Sequence, residues 1–196
     1  MEDVFYHAGS RALQDSFGSR RLADRLEAVT LHRAFTEEDR AFIESAGFFF
    51  LATADAEGRP DCSFKGGLPG FVRVTGPQEL IFPDYDGNGM FRSLGNIGIN
   101  PAVGLLFIAM GDTPKRIRVN GEAVVLRDDP AMRAFTGAQL LVRVRARAIF
   151  PNCPRYIPTP AGPSEFAPQN GVEPREPAWK DWDVFRDVIP PRAPGA

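Results

Sequence analysis

The apolar positions of this chain change their period as the sequence proceeds. From Ser10 to Ala28, Leu13, Phe17, Leu22 and Leu26 recur at intervals of about four or five, an imperfect helical stripe that Gly18 interrupts. Thr36-Glu37-Glu38-Asp39 reads as an N-cap with an acidic first turn, opening a helix to about Ser45 with Gly47 as its stop. From Phe48 the pattern becomes that of strands. Phe48 to Thr53 is a solid apolar run, Asp55-Ala56-Glu57-Gly58 is turn chemistry, and Pro60 to Lys65 pairs back as a hairpin. Phe71 to Thr75 and Glu79 to Phe82 flank Gly76-Pro77 as a second hairpin. A helix over Met90 to Ile97 and a buried strand over Ala102 to Ala109 follow. Ile117 and Val119 alternate with Arg116, Arg118 and Asn120, the period of two of a half-buried strand. Gly121 marks a bulge before Ala123 to Leu126. Asp129 caps a short helix with Pro130 at its first position. Gln139 to Phe150 predicts a long last strand, with Val142, Val144, Ala146 and Ala148 on one face and Arg143, Arg145 and Arg147 on the other.

Six or so strands, two short helices between them and a helical lead-in predict a mainly β chain built as a small barrel. The missing βα alternation argues against a doubly wound parallel sheet. After Phe150 the composition shifts, with 11 of the 18 prolines in the last 46 residues. That predicts an irregular extension with one helical turn around Trp179 to Val188. The organisation expected is a helical lead-in over residues 1–46 packed on the barrel, a barrel over 47–150, and a proline-rich extension over 151–196.

Composition narrows the function. At 196 residues the chain can bury a core without disulfides or metal. A net charge of -2 supplies no field for nucleic acid or anionic membrane. No apolar run approaches the roughly 20 residues that span a bilayer, and the N-terminus lacks the pattern of a signal peptide. Cys62 and Cys153 leave a single bridge open, though a cytoplasmic protein with reduced thiols is the default reading.

Side chains for catalysis are sparse. The two histidines, His7 and His32, both lie in the lead-in, so a four-ligand zinc site would need both of them and both cysteines at unsuitable spacings. No metal is expected, and no catalytic residue is assigned. The strand from Pro60 to Lys65 is more informative. If Phe64 points into the core, Ser63 and Lys65 point the other way and offer a hydroxyl and a cation. The loop Asp84-Tyr85-Asp86-Gly87-Asn88-Gly89 can aim successive N–H groups at an anion, and the helix after it adds its N-terminus. Each feature also has a plain structural explanation, as a solvated edge lysine or a tight turn.

Taken in order, Phe50-Leu51-Ala52-Thr53, Gly58-Arg59-Pro60, Ser63-Phe64-Lys65-Gly66-Gly67, Phe82-Pro83-Asp84-Tyr85-Asp86-Gly87-Asn88 and Asn96-Ile97-Gly98-Ile99-Asn100-Pro101 form a recognisable series. Val103 to Phe107 and Arg118-Val119-Asn120-Gly121 continue it. Outside the barrel, Tyr6-His7-Ala8-Gly9 and Phe150 to Tyr156 belong to the same pattern. Together they resemble the pyridoxamine 5'-phosphate oxidase-like FMN-binding split barrels, and more narrowly the oxidase-related subgroup.

The resemblance implies a six-stranded split barrel that binds FMN as a homodimer, with the flavin sites at the interface. It implies an oxidoreductase acting on a small molecule; a non-catalytic flavin, deazaflavin or haem-binding sensor is the alternative. The cofactor-binding positions it implies are Asp61, Cys62, Ser63, Lys65, Phe82, Pro83, Asp84, Tyr85, Asn88 and Arg116. In the oxidase, the strand matching Pro60 to Lys65 begins with arginine and ends with the lysine that approaches the flavin phosphate. Here Lys65 is kept, while proline stands at the arginine position. The oxidase's Tyr-Thr pair falls on Phe82-Pro83 and its Ser-Arg-Lys phosphate clamp on Gly87-Asn88-Gly89. Arg116 occupies the place of a glutamine supplied by the opposing subunit. These departures, and a segment from Trp179 to Ala196 without histidine, argue against oxidation of pyridoxamine 5'-phosphate itself.

Overall fold

A computed structural model describes residues 5–111, 113–172 and 175–190. The chain divides into two compact units. The larger runs from His32 to Pro154, and the smaller joins the segment up to Leu31 with the segment from Arg155 onward.

The larger unit is one antiparallel sheet. Its strands are β1 (Phe48–Ala54), β2 (Pro60–Gly66), β3 (Arg73–Gly76), β4 (Glu79–Tyr85), β5 (Ala102–Ala109), β6 (Lys115–Leu126) and β7 (Ala138–Pro151), in the order β2-β1-β5-β6-β7-β4-β3. Seven strands stand where six or so were expected, and the segments predicted on either side of Gly121 join as one strand, β6. The bulge predicted at Gly121 is present as a register shift against β7 between Asn120 and Gly121.

The sheet curls. β1 and β4 stand four strand spacings apart in its order, roughly 19 Å if the sheet were flat. Yet the rings of Phe49 on β1 and Phe82 on β4 have centroids 4.9 Å apart. Phe71 and Phe107 also pack against Phe49, at 5.9 and 5.0 Å. These four phenylalanines are buried in a core that takes in Leu51, Leu80, Leu105, Ile117, Val119, Val142 and Val144. The edges of β2 and β3 remain unpaired among the described residues, so the barrel is split rather than closed.

Two helices belong to this unit. In α3 (Glu37–Ser45), the Thr36 hydroxyl accepts from the Asp39 N–H while the Asp39 carboxylate accepts from the Thr36 N–H, a reciprocal capping box. The other, α4 (Arg92–Ile99), starts two residues later than predicted, since Phe91 adopts a left-handed φ of 48°. Asp129 caps a 3₁₀ turn, Pro130–Ala134, where a short helix was expected.

The smaller unit contains α1 (Ala8–Ser16) and α2 (Arg20–Thr30), separated at Gly18, whose φ of 61° turns the chain where the sequence predicted a break. The C-terminal segment forms a 3₁₀ turn, Ala178–Asp181, and α5 (Asp183–Arg186). Arg25 of α2 donates to the Val184 carbonyl and the Asp187 carboxylate, tying the two segments of this unit together. Both cysteines are free thiols. No helix among the described residues is long and apolar enough to cross a membrane.

Candidate functional site

Along the β1–β2 ladder, Asp61 lies opposite Thr53, Ser63 opposite Leu51 and Lys65 opposite Phe49. These three polar residues share the face of β1 residues that are buried, so their side chains are half-buried at the mouth of the barrel. Phe64 takes the other face, 62% exposed, with its ring stacked on Phe48 at 5.4 Å. The expectation that Phe64 enters the core is therefore corrected. The consequence drawn for Ser63 and Lys65 survives, because the inward face of β2 ends in a cleft instead of the core.

That cleft is a cavity of about 540 Å³, within the ~300–1,000 Å³ typical of small-molecule sites. Every residue from Asp61 to Gly66 lines it, from both faces of the strand. Such lining arises when a cavity runs along a strand's unpaired edge, and β2 pairs only with β1. Pro83, Asp84 and Tyr85 at the end of β4, the loop 86–90, and Phe91, Arg92, Ser93 and Leu94 at the start of α4 form the facing wall.

Helix α4 is fixed to the hairpin by side chains. Asn96 donates to the Thr53 hydroxyl at 3.0 Å and Asn100 to the Asp55 carbonyl at 3.2 Å. This holds the first turn of α4 over the cavity. Ser93, buried, donates to the Ser63 hydroxyl at 2.8 Å, and Arg92 reaches the Asp61 carboxylate at 3.3 Å. The α4 N-terminus has no side-chain cap. A cation such as Arg92 in a helix's first turn opposes the helix dipole unless an anion sits nearby. Asp61 supplies one, and the cavity has room for a second.

The aspartates that line the cavity, which would repel an anion, are largely committed. Asp61 accepts from Arg92, and Asp86 accepts from Gln139 at 3.2 Å. Burial holds the Asp84 carboxyl above its ordinary value, while the charge of Lys65 pulls it partway back. The folded protein thus binds this proton more tightly than the unfolded chain does. Asp84 therefore contributes most favourably to stability in acid, and that contribution declines as pH rises from the ordinary carboxylate range through the folded pKa. Asp84→Asn should accordingly raise the melting temperature at neutral pH and leave it unchanged in acid. Thermal melts across pH check this; an equal shift at every pH would assign the effect to packing.

Eight of the ten positions expected from the sequence, Asp61, Cys62, Ser63, Lys65, Pro83, Asp84, Tyr85 and Asn88, line this one cavity. Two lie elsewhere. Phe82 points into the core, fully buried against Phe49, and the cavity takes up β4 only from the next residue, Pro83. Arg116 lies opposite Ile108 on β6, on the outward face that alternates with buried Ile117. Arg92 and Ser93 are the residues the sequence reading missed. Their signal was a cation and a hydroxyl in the first turn of a helix already predicted beside the loop. Arg92 thus sets a cation in the cavity wall a few residues after Gly87-Asn88-Gly89.

Comparison with known families finds that the model described as pyridoxamine 5'-phosphate oxidase matches residues 35–166. No curated protein sequence matches. Among solved structures, the chain is similar to a putative pyridoxamine 5'-phosphate oxidase from Lactobacillus delbrueckii, at 22% identity and a TM-score of 0.49, over 61% of this chain and 95% of that one. It is also similar to an FMN-binding protein from Syntrophomonas wolfei, at 12% identity and 0.46, over 73% and 96%. A third is the haem storage protein HutZ from Vibrio cholerae, at 20% identity and 0.44, over 58% and 91%.

Proposed function

The chain belongs to the pyridoxamine 5'-phosphate oxidase family, and from that premise we propose that its cavity binds flavin mononucleotide for oxidoreductase chemistry on a small molecule. The observation that carries this reading is the pairing of two cations, Lys65 on β2 and Arg92 on α4, across a cavity that follows the free edge of β2. An unpaired strand edge presents N–H donors and C=O acceptors in alternation. That is the complement of the heteroatom edge of an isoalloxazine. Lys65, Arg92, the Ser63 and Ser93 hydroxyls and the uncapped N–H groups of α4 suit a phosphate. Bound there, the flavin supplies hydride acceptance and delivery, and the protein supplies placement and electrostatics. This division of labour accounts for a cavity lined by few classical catalytic groups. Neither histidine lines it, which disfavours haem.

The reading includes a homodimer. On the outward face of β1 and β2, Phe48 and Phe50 adjoin Phe64, and Leu68, in the loop after β2, is 84% exposed. An exposed apolar patch of this kind favours an interface, here with a second copy that brings Arg116 towards its partner's cavity. With both thiols free, the cytoplasm is the compartment proposed.

The test is the identity of the small molecule released when the freshly purified chain is denatured, by absorbance and mass. A phosphorylated isoalloxazine is expected. Haem, a deazaflavin, or a colourless chain that also fails to bind added FMN overturns the proposal.

A further inference from the structure

The flavin cavity does not end at α4. A second groove, about 600 Å³, runs along the far side of that helix and shares Phe91, Leu94 and Gln139 with the first. Gly95 and Gly98 floor it, and Arg127 stands in its wall. Glycine is among the poorest helix formers, and α4 carries two within eight residues. Neither has a positive φ, and a Cβ added at either would meet no atom within 4 Å. Among the described residues, no atom occupies that space. Arg127 makes no hydrogen bond or ion pair among the described residues, and its neighbour Asp128 does not line the groove. Phe91, 51% exposed, presents a ring between the two cavities.

We propose that this groove receives the adenylate half of a flavin dinucleotide, so that the site accepts FAD as well as FMN. The inference rests on the flavin reading of the first cavity. A chain continuing past the first phosphate at Arg92 enters the groove directly. There Arg127 offers a cation to the second phosphate. Phe91 offers a ring face, and the two glycines let a flat purine lie against helix backbone. From Phe91 to Gly98 the helix rises roughly 10 Å, on the scale of a phosphate-linked nucleoside.

Calorimetric titration of the full chain with FMN and with FAD tests this. FAD should bind at least as tightly as FMN. Gly98→Leu, which fills open space and should raise the melting temperature, should weaken FAD by about tenfold while leaving FMN binding unchanged. Arg127→Ala, which removes no hydrogen bond or ion pair among the described residues, should weaken FAD alone and guards against a folding defect in the first variant. The inference is overturned if the wild-type chain binds FMN but rejects FAD, or if the variants affect both flavins equally. It is also overturned if Gly98→Leu turns a dimer into a monomer, which would assign the groove to a second copy. Binding of neither flavin would instead remove the reading of the first cavity, and this one with it.

Discussion

Replacing Gly121 with alanine is expected to cost about 3 kcal/mol of stability, lowering the melting temperature by roughly 6–12 °C for a chain of this size. A Cβ at this position would stand 2.1 Å from the carbonyl oxygen of Arg145 and 3.0 Å from the Ala146 Cα. Both atoms are backbone of β7, so no side-chain rotation relieves the clash. Relief requires that β6 and β7 separate at the bulge, where their register shifts. These two long strands carry Ile117, Val119, Val142 and Val144 into the core, and a local separation spreads into its packing. Gly104→Ala is the matched control. It lies on the adjacent strand opposite Asn120, and its Cβ would make only ordinary contacts, at 3.6 Å to Asn120 Oδ1 and 3.8 Å to Ala52. Thermal and urea denaturation of both variants should separate them clearly. Equal stabilities would mean that the bulge tolerates a side chain and that the close approach is not a constraint.

How much of this was legible in the sequence depends on the range of the interactions involved. Local signals were read well. The N-cap at Thr36, the turn at Gly18, the cap at Asp129 and the bulge at Gly121 each follow from chemistry within a few residues. Alternation along β7 placed Val142 and Val144 inside and the arginines outside, as found. Phe64 went the other way because hydropathy describes a residue and not the face its strand offers. On β2 the inward face opens into a cavity, so the inward positions hold Asp61, Ser63 and Lys65 while a phenylalanine faces out. Phe82 was misplaced for a related reason. Only the curl of the sheet decides where β4 stops being core and becomes wall. Arg92 is hidden in the sequence because the left-handed turn at Phe91 that sets the true helix start has no strong sequence signature.

The largest functional effect expected is the loss of FMN binding when Lys65 or Arg92 is removed. A hydrogen bond to a charged group contributes about 1.5–3 kcal/mol, so Lys65→Ala and Arg92→Ala should each weaken FMN by roughly 10–100-fold. Stability should change little, since the Arg92–Asp61 pair is largely solvent-exposed on the arginine side and such pairs contribute modestly. Riboflavin, which has the same ring and no phosphate, provides the internal control. If the two cations read the phosphate, the wild-type chain prefers FMN to riboflavin and the variants lose that preference while keeping riboflavin affinity. The decisive measurement is therefore the ratio of FMN to riboflavin affinity, taken by flavin fluorescence titration on the wild-type chain and on the Lys65→Ala, Arg92→Ala double variant. A strong preference for FMN that collapses towards unity in the double variant is the predicted result. A wild-type chain that binds the two flavins equally, or a double variant that keeps the wild-type ratio, would contradict it.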